Sequence, residues 1–576
     1  MQHIIKKQII QLQLDGKQDA FHIQHLISEY YWKEVIPILQ KVFDSISKPG
    51  EIIRMDQLEI DLGVISLKDI EEGKWAANLE LVLKEQLTKF LSKIHECEEI
   101  RKEPATLSVF KQWLYYMKNG YLPWNTVEIN ETWYQKTLQT LATDFESISA
   151  VRKQILTNPS FTIRVIAQHS DHFLTNMIET LTAEKQENLL KAIDELYEVF
   201  YLLSQKAEPE INSQILPIGN KKDFARKLWE IALTASSKND RGLKTEVFIE
   251  KVLQAYLQKF KTLKFIKKEL AEKLAITKPV LKKLVEAEKN KSRKDESEKT
   301  QITKGVENQK KLSSEKKQET RELPKEQKVR KHSEEKSNQE KKANPDKLNK
   351  TENGSTVESG LNQKISTEED QIDDQDKILE DLVRRDKKIG DLFREESGLI
   401  KNSAHDSLDE EGVFIRHAGV VLLHPFLNSF FKILQLTHEN EFVNIIAHQK
   451  ALHLLHFLST GHTHPKEYEL VIAKVLCAYP LHQPVEIDIE LTEIELAEAN
   501  DLLAATIAQW KVLINSSAPA LQEGFLQRNG KLFSKNDKLY LQVEKSAIDV
   551  LLDRLPWNLS MIRLPWMNEM LRVEWR

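Results

Sequence analysis

Hydrophobic and polar residues alternate at more than one period along this 576-residue chain. The period is two at the start. Ile10, Leu12 and Leu14 are separated by Gln11 and Gln13, the pattern of a half-buried strand, and Asp15-Gly16 ends it. From Lys17 to Ile46 the spacing is helical, with Ile23, Leu26, Ile27, Tyr30 and Tyr31 recurring at three and four. Pro37 should kink this helix or split it in two, because proline cannot donate to the carbonyl four residues back. After a turn at Lys48-Pro49-Gly50, "IIRMDQLEIDLGVI" alternates again: Leu58, Ile60, Leu62 and Val64 face one way, Glu59 and Asp61 the other. Residues 1–100 are therefore expected to form a strand-helix-strand domain with a small sheet and crossover helix, closed by a helix from Lys74 to Cys97.

From residue 104 to 285 the pattern is helical. "LSVFKQWLYYMKNGYLPW" predicts an apolar helix stopped by Gly120, and segments near 133–145, 147–157, 171–182, 184–204, 221–236 and 243–285 continue it. The apolar period then fails: no Phe, Tyr or Trp stands between Phe265 and Phe393. It resumes at residue 412. "GVFIRHAGVVLLHPFLNSFFKILQL" is strongly apolar, Thr492 with Glu495 reads as a capping box, and "GKLFSKNDKLYLQVEK" reads as a hairpin around a Lys-Asn-Asp-Lys turn. The expected fold is α+β and mainly helical. A small α+β N-terminal domain (1–100) is followed by a helical region (104–285), a charged low-complexity linker (286–411) and an α+β C-terminal domain (412–576).

Charge sharpens the reading of the linker. Residues 289–350 hold 20 Lys/Arg against 12 Asp/Glu; residues 351–411 hold 8 against 18. So little apolar surface cannot offset an ordering entropy of roughly 1–2 kcal/mol per residue, so disorder is expected, with loose helix when confined. Interspersed Glu and the lack of stacking aromatics argue against nucleic acid. The chain as a whole carries a net charge of -5 and only two cysteines, Cys97 and Cys477, which excludes a disulfide framework and fits a reducing compartment. The first residues lack the apolar run and cleavage site of a secretory signal, and no stretch of about 18 uncharged apolar residues would span a membrane.

The groups able to carry chemistry also have structural roles open to them. Nine of the 17 histidines fall between His417 and His482. His453, His456, His462 and His464 could ligate zinc, yet the zinc-hydrolase spacing of two His four apart with a Glu between is absent. Buried or surface histidines are the simpler reading. Cys477, in "VIAKVLCAYP", reads as an inert buried thiol, and Glu59 with Asp61 as the polar face of an edge strand. No nucleophile elbow and no glycine-rich phosphate loop exists. No catalytic residue, metal or cofactor is expected.

What stands out is a repeated tripeptide. Leu-Pro-Trp occurs at Leu122-Pro123-Trp124, Leu555-Pro556-Trp557 and Leu564-Pro565-Trp566, using three of the 10 tryptophans. Proline ends a strand or helix abruptly, and the indole that follows buries a large ring. Arg554 and Arg563 each precede a copy and could pair with Asp553 or Glu574, or stack on the rings. Rigid corners that shape a docking surface fit these residues better than reactive groups.

Taken in order, "HIIKKQIIQLQLD", "YMKNGYLPW", "GVVLLHPFL", "KALHLLHFLSTG", "ELTEIELAEANDLL" and "DVLLDRLPWNLSMIRLPWM" with "LRVEW" resemble the tape measure proteins of extracellular contractile injection systems, the phage-tail-like particles of the antifeeding prophage and Photorhabdus virulence cassette type. The resemblance implies a structural assembly factor, not an enzyme, that sets tube and sheath length and docks to baseplate or hub. It implies tube, baseplate, hub, spike and terminator proteins as partners, with a homo-oligomer in the tube lumen as a further option. It also implies assembly in the cytoplasm of the producing bacterium, residence afterwards within the particle, and neither nucleic-acid binding nor membrane insertion. The expected layout is two folded ends held apart by a spacer, about 190 Å long if its roughly 125 residues are helical. A baseplate or hub scaffold without a ruler role, and a His-ligated metal hydrolase, are the alternatives.

Overall fold

A computed structural model describes residues 3–14, 19–72, 74–92, 100–126, 128–206, 220–238, 243–256 and 408–575. The chain divides into two units, Met1–Lys282 with Gly390–Arg576, and Lys283–Ile389. The second unit lies outside the described residues, as do Cys97, the expected helical stretch beyond Tyr256 and the expected linker up to residue 407. The architecture is α+β and mainly helical.

The first segment departs from its pattern. Residues 3–14 belong to no ladder, and Ile9, at 72% exposure, is the most open of their apolar side chains. Strand β1 (Glu51–Met55) pairs instead with β2 (Ile100–Pro104), antiparallel, with Glu51 opposite Pro104. Alternation identifies a segment able to join a sheet but not the edge it joins. Helix α1 (Ala20–Tyr30) runs through a π-helical turn (Tyr31–Val35) into α2 (Ile36–Ile46). The widened turn ends two residues before Pro37, which lacks an N–H for the normal bond. Val35, Leu39 and Val42 pack on Leu79, Leu83 and Leu87 of a helix spanning Trp75–Ser92, with Leu58, Ile60 and Leu62 partly buried against them.

Eight helices follow among the described residues: α5 (Ala105–Asn119), α6 (Glu131–Thr143), α7 (Phe145–Thr157), α8 (Pro159–Gln168), α9 (Asp171–Thr182), α10 (Leu189–Lys206), α11 (Lys221–Lys238) and α12 (Thr245–Tyr256), the count taking α3 as Leu67–Glu71 and α4 as Trp75–Ser92. Asn130, Asp144, Asn158 and Ser170 each accept an amide hydrogen bond that opens the helix following them. Periodicity did not mark α8. Pro159 sets its φ at the first turn and Asn158 caps it, signals that lie outside an apolar count.

The C-terminal region holds a five-stranded sheet in the order β3-β6-β7-β9-β8: Val413–Ile415, Gly530–Lys535, Lys538–Val543, Leu571–Glu574 and Met561–Ile562. The β7–β9 pair is parallel and the rest antiparallel. The β6–β7 turn puts Asn536 and Asp537 at φ 51° and 54°, the two-residue turn suited to the twist of a hairpin. A short ladder joins β4 (Thr437–His438) to β5 (Glu441–Phe442). Helices α13 (His424–Ile433), α14 (Ile445–Thr460), α15 (Val471–Leu476) and α16 (Glu493–Gln509) bury this core. The capping box of Thr492 and Glu495 forms as expected.

Within this unit the helical region and the C-terminal region share one interior. Tyr121, in the loop after α5, is buried in the C-terminal core. The expected picture of two separate ends thus differs from the described contacts, because the apolar count gives no account of charged side chains buried between them.

Candidate docking cleft

Beside Tyr121, charged residues bind the two regions together. Arg164 on α8 and Glu467 are fully buried, with Arg164 Nε 2.9 Å from Glu467 Oε2. Lys474 on α15 is also buried, and its Nζ lies 2.7 Å from Glu467 Oε1. Backbone carbonyls take up the remaining protons: Arg164 donates to Met117 and His482, and Lys474 to Leu481 at 3.0 Å and Gln483 at 2.8 Å. Burial pulls the Lys474 ammonium down to about 8, with Glu467 acting the other way. Removing one member of such a group typically costs 3–5 kcal/mol, because a charge is left buried and unpaired. Gly120 closes α5 at φ 84° directly against this group. A Cβ there would meet Glu467 Oε1 at 2.8 Å and the Leu481 carbonyl at 3.1 Å. Lys222 with Asp488 and Arg226 with Glu486 extend the seam along α11.

Sequence reasoning did not pick out this triad. Its trace is a single charge inside each of two apolar runs, Arg164 in "FTIRVIA" and Lys474 in "VIAKVLC". Such a lone charge on a buried face demands a partner, but nothing local says that the partner of Arg164 is Glu467.

The two C-terminal Leu-Pro-Trp copies each set an indole against a backbone carbonyl. A 3₁₀ helix (Ala547–Arg554) stops at Leu555, which turns extended before Pro556. The Trp557 indole donates to the Leu422 carbonyl at 3.1 Å, its ring edge-on to Phe426 at 5.3 Å. Nine residues later Trp566 donates to the Leu476 carbonyl at 2.8 Å, its ring 5.5 Å from Phe431 and 5.2 Å from Phe442. Leu564 is buried beside Met567, whose amide donates to the Leu564 carbonyl at 2.9 Å, while Pro565 is exposed. Arg554 is exposed at the end of its helix. Arg563 donates from Nε to the Met567 carbonyl at 3.4 Å, a partner not anticipated.

The third copy sits apart in sequence and near in space. Leu122 and Pro123 are half-buried after α5, and Trp124 is 42% exposed with Lys6 Nζ 5.7 Å from its ring centre. Leu122, Pro123 and Trp124 line a cleft of about 1220 Å³, as do Leu555, Trp557 and Trp575. The structure thus brings two of the three copies to one cavity. The Leu564-Pro565-Trp566 copy packs elsewhere and does not line it. Tyr468, next to Glu467 of the triad, also lines the cleft, with the Arg416 guanidinium 5.9 Å from its ring centre.

Several histidines are packed inside, while His462 and His464 are exposed. His453 Nε2 donates to the Glu486 carbonyl at 2.7 Å and His448 Nε2 to the Cys477 carbonyl at 2.7 Å. His417 and His456 stand edge to face at 5.5 Å. Burial holds His417, His448 and His453 down to about 4 and His456 to about 3. Among the described residues no group of three or more His, Cys, Asp or Glu is placed to hold a metal. Burial pushes the Cys477 thiol well up, away from the thiolate a nucleophile needs. Among the described residues no helix is long and apolar enough to cross a membrane.

No curated protein and no solved structure matches the chain. A family model described as contractile injection system tape measure protein matches residues 2–575, essentially from end to end. The chain belongs to the tape measure proteins of contractile injection systems.

Proposed function

We propose that this tape measure protein works in two parts. The stretch 286–411 sets the distance over which tube and sheath are stacked, and the cleft between the Leu-Pro-Trp corners docks the folded unit onto a baseplate or hub component. One observation supports the docking part above the rest. Two copies of a rare tripeptide, more than 400 positions apart in sequence, line one cavity, and its rim carries a half-exposed tryptophan. A large ring left partly open beside a cavity is the kind of anchor that interfaces favour. In its lining, Trp557 is hydrogen-bonded to the Leu422 carbonyl and Tyr468 adjoins Glu467 of the buried triad, which supports a preformed cavity.

Particle length measured by negative-stain microscopy tests the first part. Deleting or duplicating residues 300–340 should shorten or lengthen particles in proportion, and unchanged lengths would mean a scaffold without a ruler. Trp124→Ala tests the second. It should leave thermal unfolding unchanged and lower recovery of baseplate or hub proteins on the tagged chain by roughly tenfold or more, the loss of one interface anchor.

A further inference from the structure

Helix α16 (Glu493–Gln509) is apolar on two sides and covered on one. Its inner side carries Ala499, Leu502, Leu503 and Ile507 into the C-terminal core. On the opposite side Ala497, Ala504, Ala505 and Ala508 are exposed, and Ile494 is 78% exposed in the first turn. A helix that is apolar all round belongs under cover on both sides.

The borders of this outer face are acidic. Residues 486–510 hold seven Asp/Glu and no Lys or Arg. Three of the seven are paired: Glu486 with Arg226, Asp488 with Lys222 and Glu495 with Lys450. Glu490, Glu493, Glu498 and Asp501 have no cation partner among the described residues. Helical spacing puts Glu493 and Glu498 at the two borders of the outer face and Asp501 on it.

The chain carries a segment of the opposite kind, and it starts close by. The described part of the helical region ends at Tyr256 on α12, whose ring lies 5.0 Å from that of Phe224 on α11. Lys222 and Arg226, two residues to either side of Phe224, are the side chains that hold Asp488 and Glu486 at the approach to α16. Residues 257–278 lie outside the described residues. In sequence they hold seven Lys against two Glu, and Leu263, Ile266, Leu270 and Leu274 recur at three and four until Pro279 breaks the period. Lys267 and Lys273 border that stripe as Glu493 and Glu498 border the face of α16.

We infer that residues 257–278 form an amphipathic helix that packs lengthwise on the outer face of α16. The leucine stripe covers Ile494 and the alanines, whose small side chains let two helices approach closely. The lysines meet Glu493, Glu498 and Asp501 along the borders. This goes beyond the ruler and docking roles and does not depend on them. It places the foot of the spacer on the C-terminal region instead of on α12.

Hydrogen exchange on the full-length protein tests the inference. Corrected for intrinsic rates, amides of residues 257–278 should exchange at least about 100-fold more slowly than those of residues 300–340. Ile494→Asp should speed exchange of 257–278 at least about tenfold, with the urea midpoint unmoved because the replaced side chain is exposed. Glu493→Lys with Glu498→Lys should act the same way, and so should Lys267→Glu with Lys273→Glu. Combining the two pairs in one chain restores opposite charges and should restore protection. Wild-type exchange as fast as that of residues 300–340, protection indifferent to Ile494→Asp, or no recovery in the combined variant would each overturn the inference. So would protection lost on dilution, which would make a second copy the occupant.

Discussion

A histidine in water titrates near 6.5, yet in this protein His169, His417, His448 and His453 are held at about 4 and His456 at about 3, in each case chiefly by burial. Between those values the unfolded chain carries a proton that the native one does not. Stability is therefore full above pH 6.5 and drains as pH falls toward 4, by at most about 1.4 kcal/mol per pH unit for each histidine. Urea midpoints at pH 7, 6 and 5 should fall in that order, and His456→Phe should flatten the slope by one proton's share. The histidine-rich stretch was legible in the sequence, and so was its packing role, since His453 stands among leucines. Which carbonyl each ring reaches was not, because His453 and Glu486 are joined only by the fold.

Among elements, those whose signals are local were legible: the α5 stop at Gly120, the α16 capping box and the β6–β7 turn. Each is settled by residues within one turn of one another. Residues 3–14 alternate in sequence yet form no ladder, because a ladder needs an edge and periodicity names none. The Leu-Pro-Trp copies have different surroundings, so position matters more than motif. Trp566 is packed among Phe431 and Phe442 with its indole bonded, so Trp566→Ala should cost about 3 kcal/mol or more in chemical denaturation. Trp124→Ala, on an open rim, should cost under about 0.5 kcal/mol. Equal losses at the two positions would contradict the distinction between staple and anchor.

On the scale of the whole molecule, both flanks of the spacer belong to one unit. The stretch from residue 257 to 407 departs from the helical region and returns to a region bonded to it. On the proposed ruler reading, with both flanks kept in one unit, each inserted residue should lengthen a particle by no more than about 1.7 Å, half the extended rise. A steeper length series would require Arg164 and Glu467 to part in the particle. Arg164 and Glu467 stand 303 positions apart, and periodicity carries no information across such a gap.

The buried meeting of Arg164, Glu467 and Lys474 also means that peptide continuity is not what joins the two halves. Made as separate polypeptides, residues 1–282 and 390–576 should recognise each other and copurify as a nicked but intact body. Glu467→Gln, which strands two cations in a dry seam, should set them free.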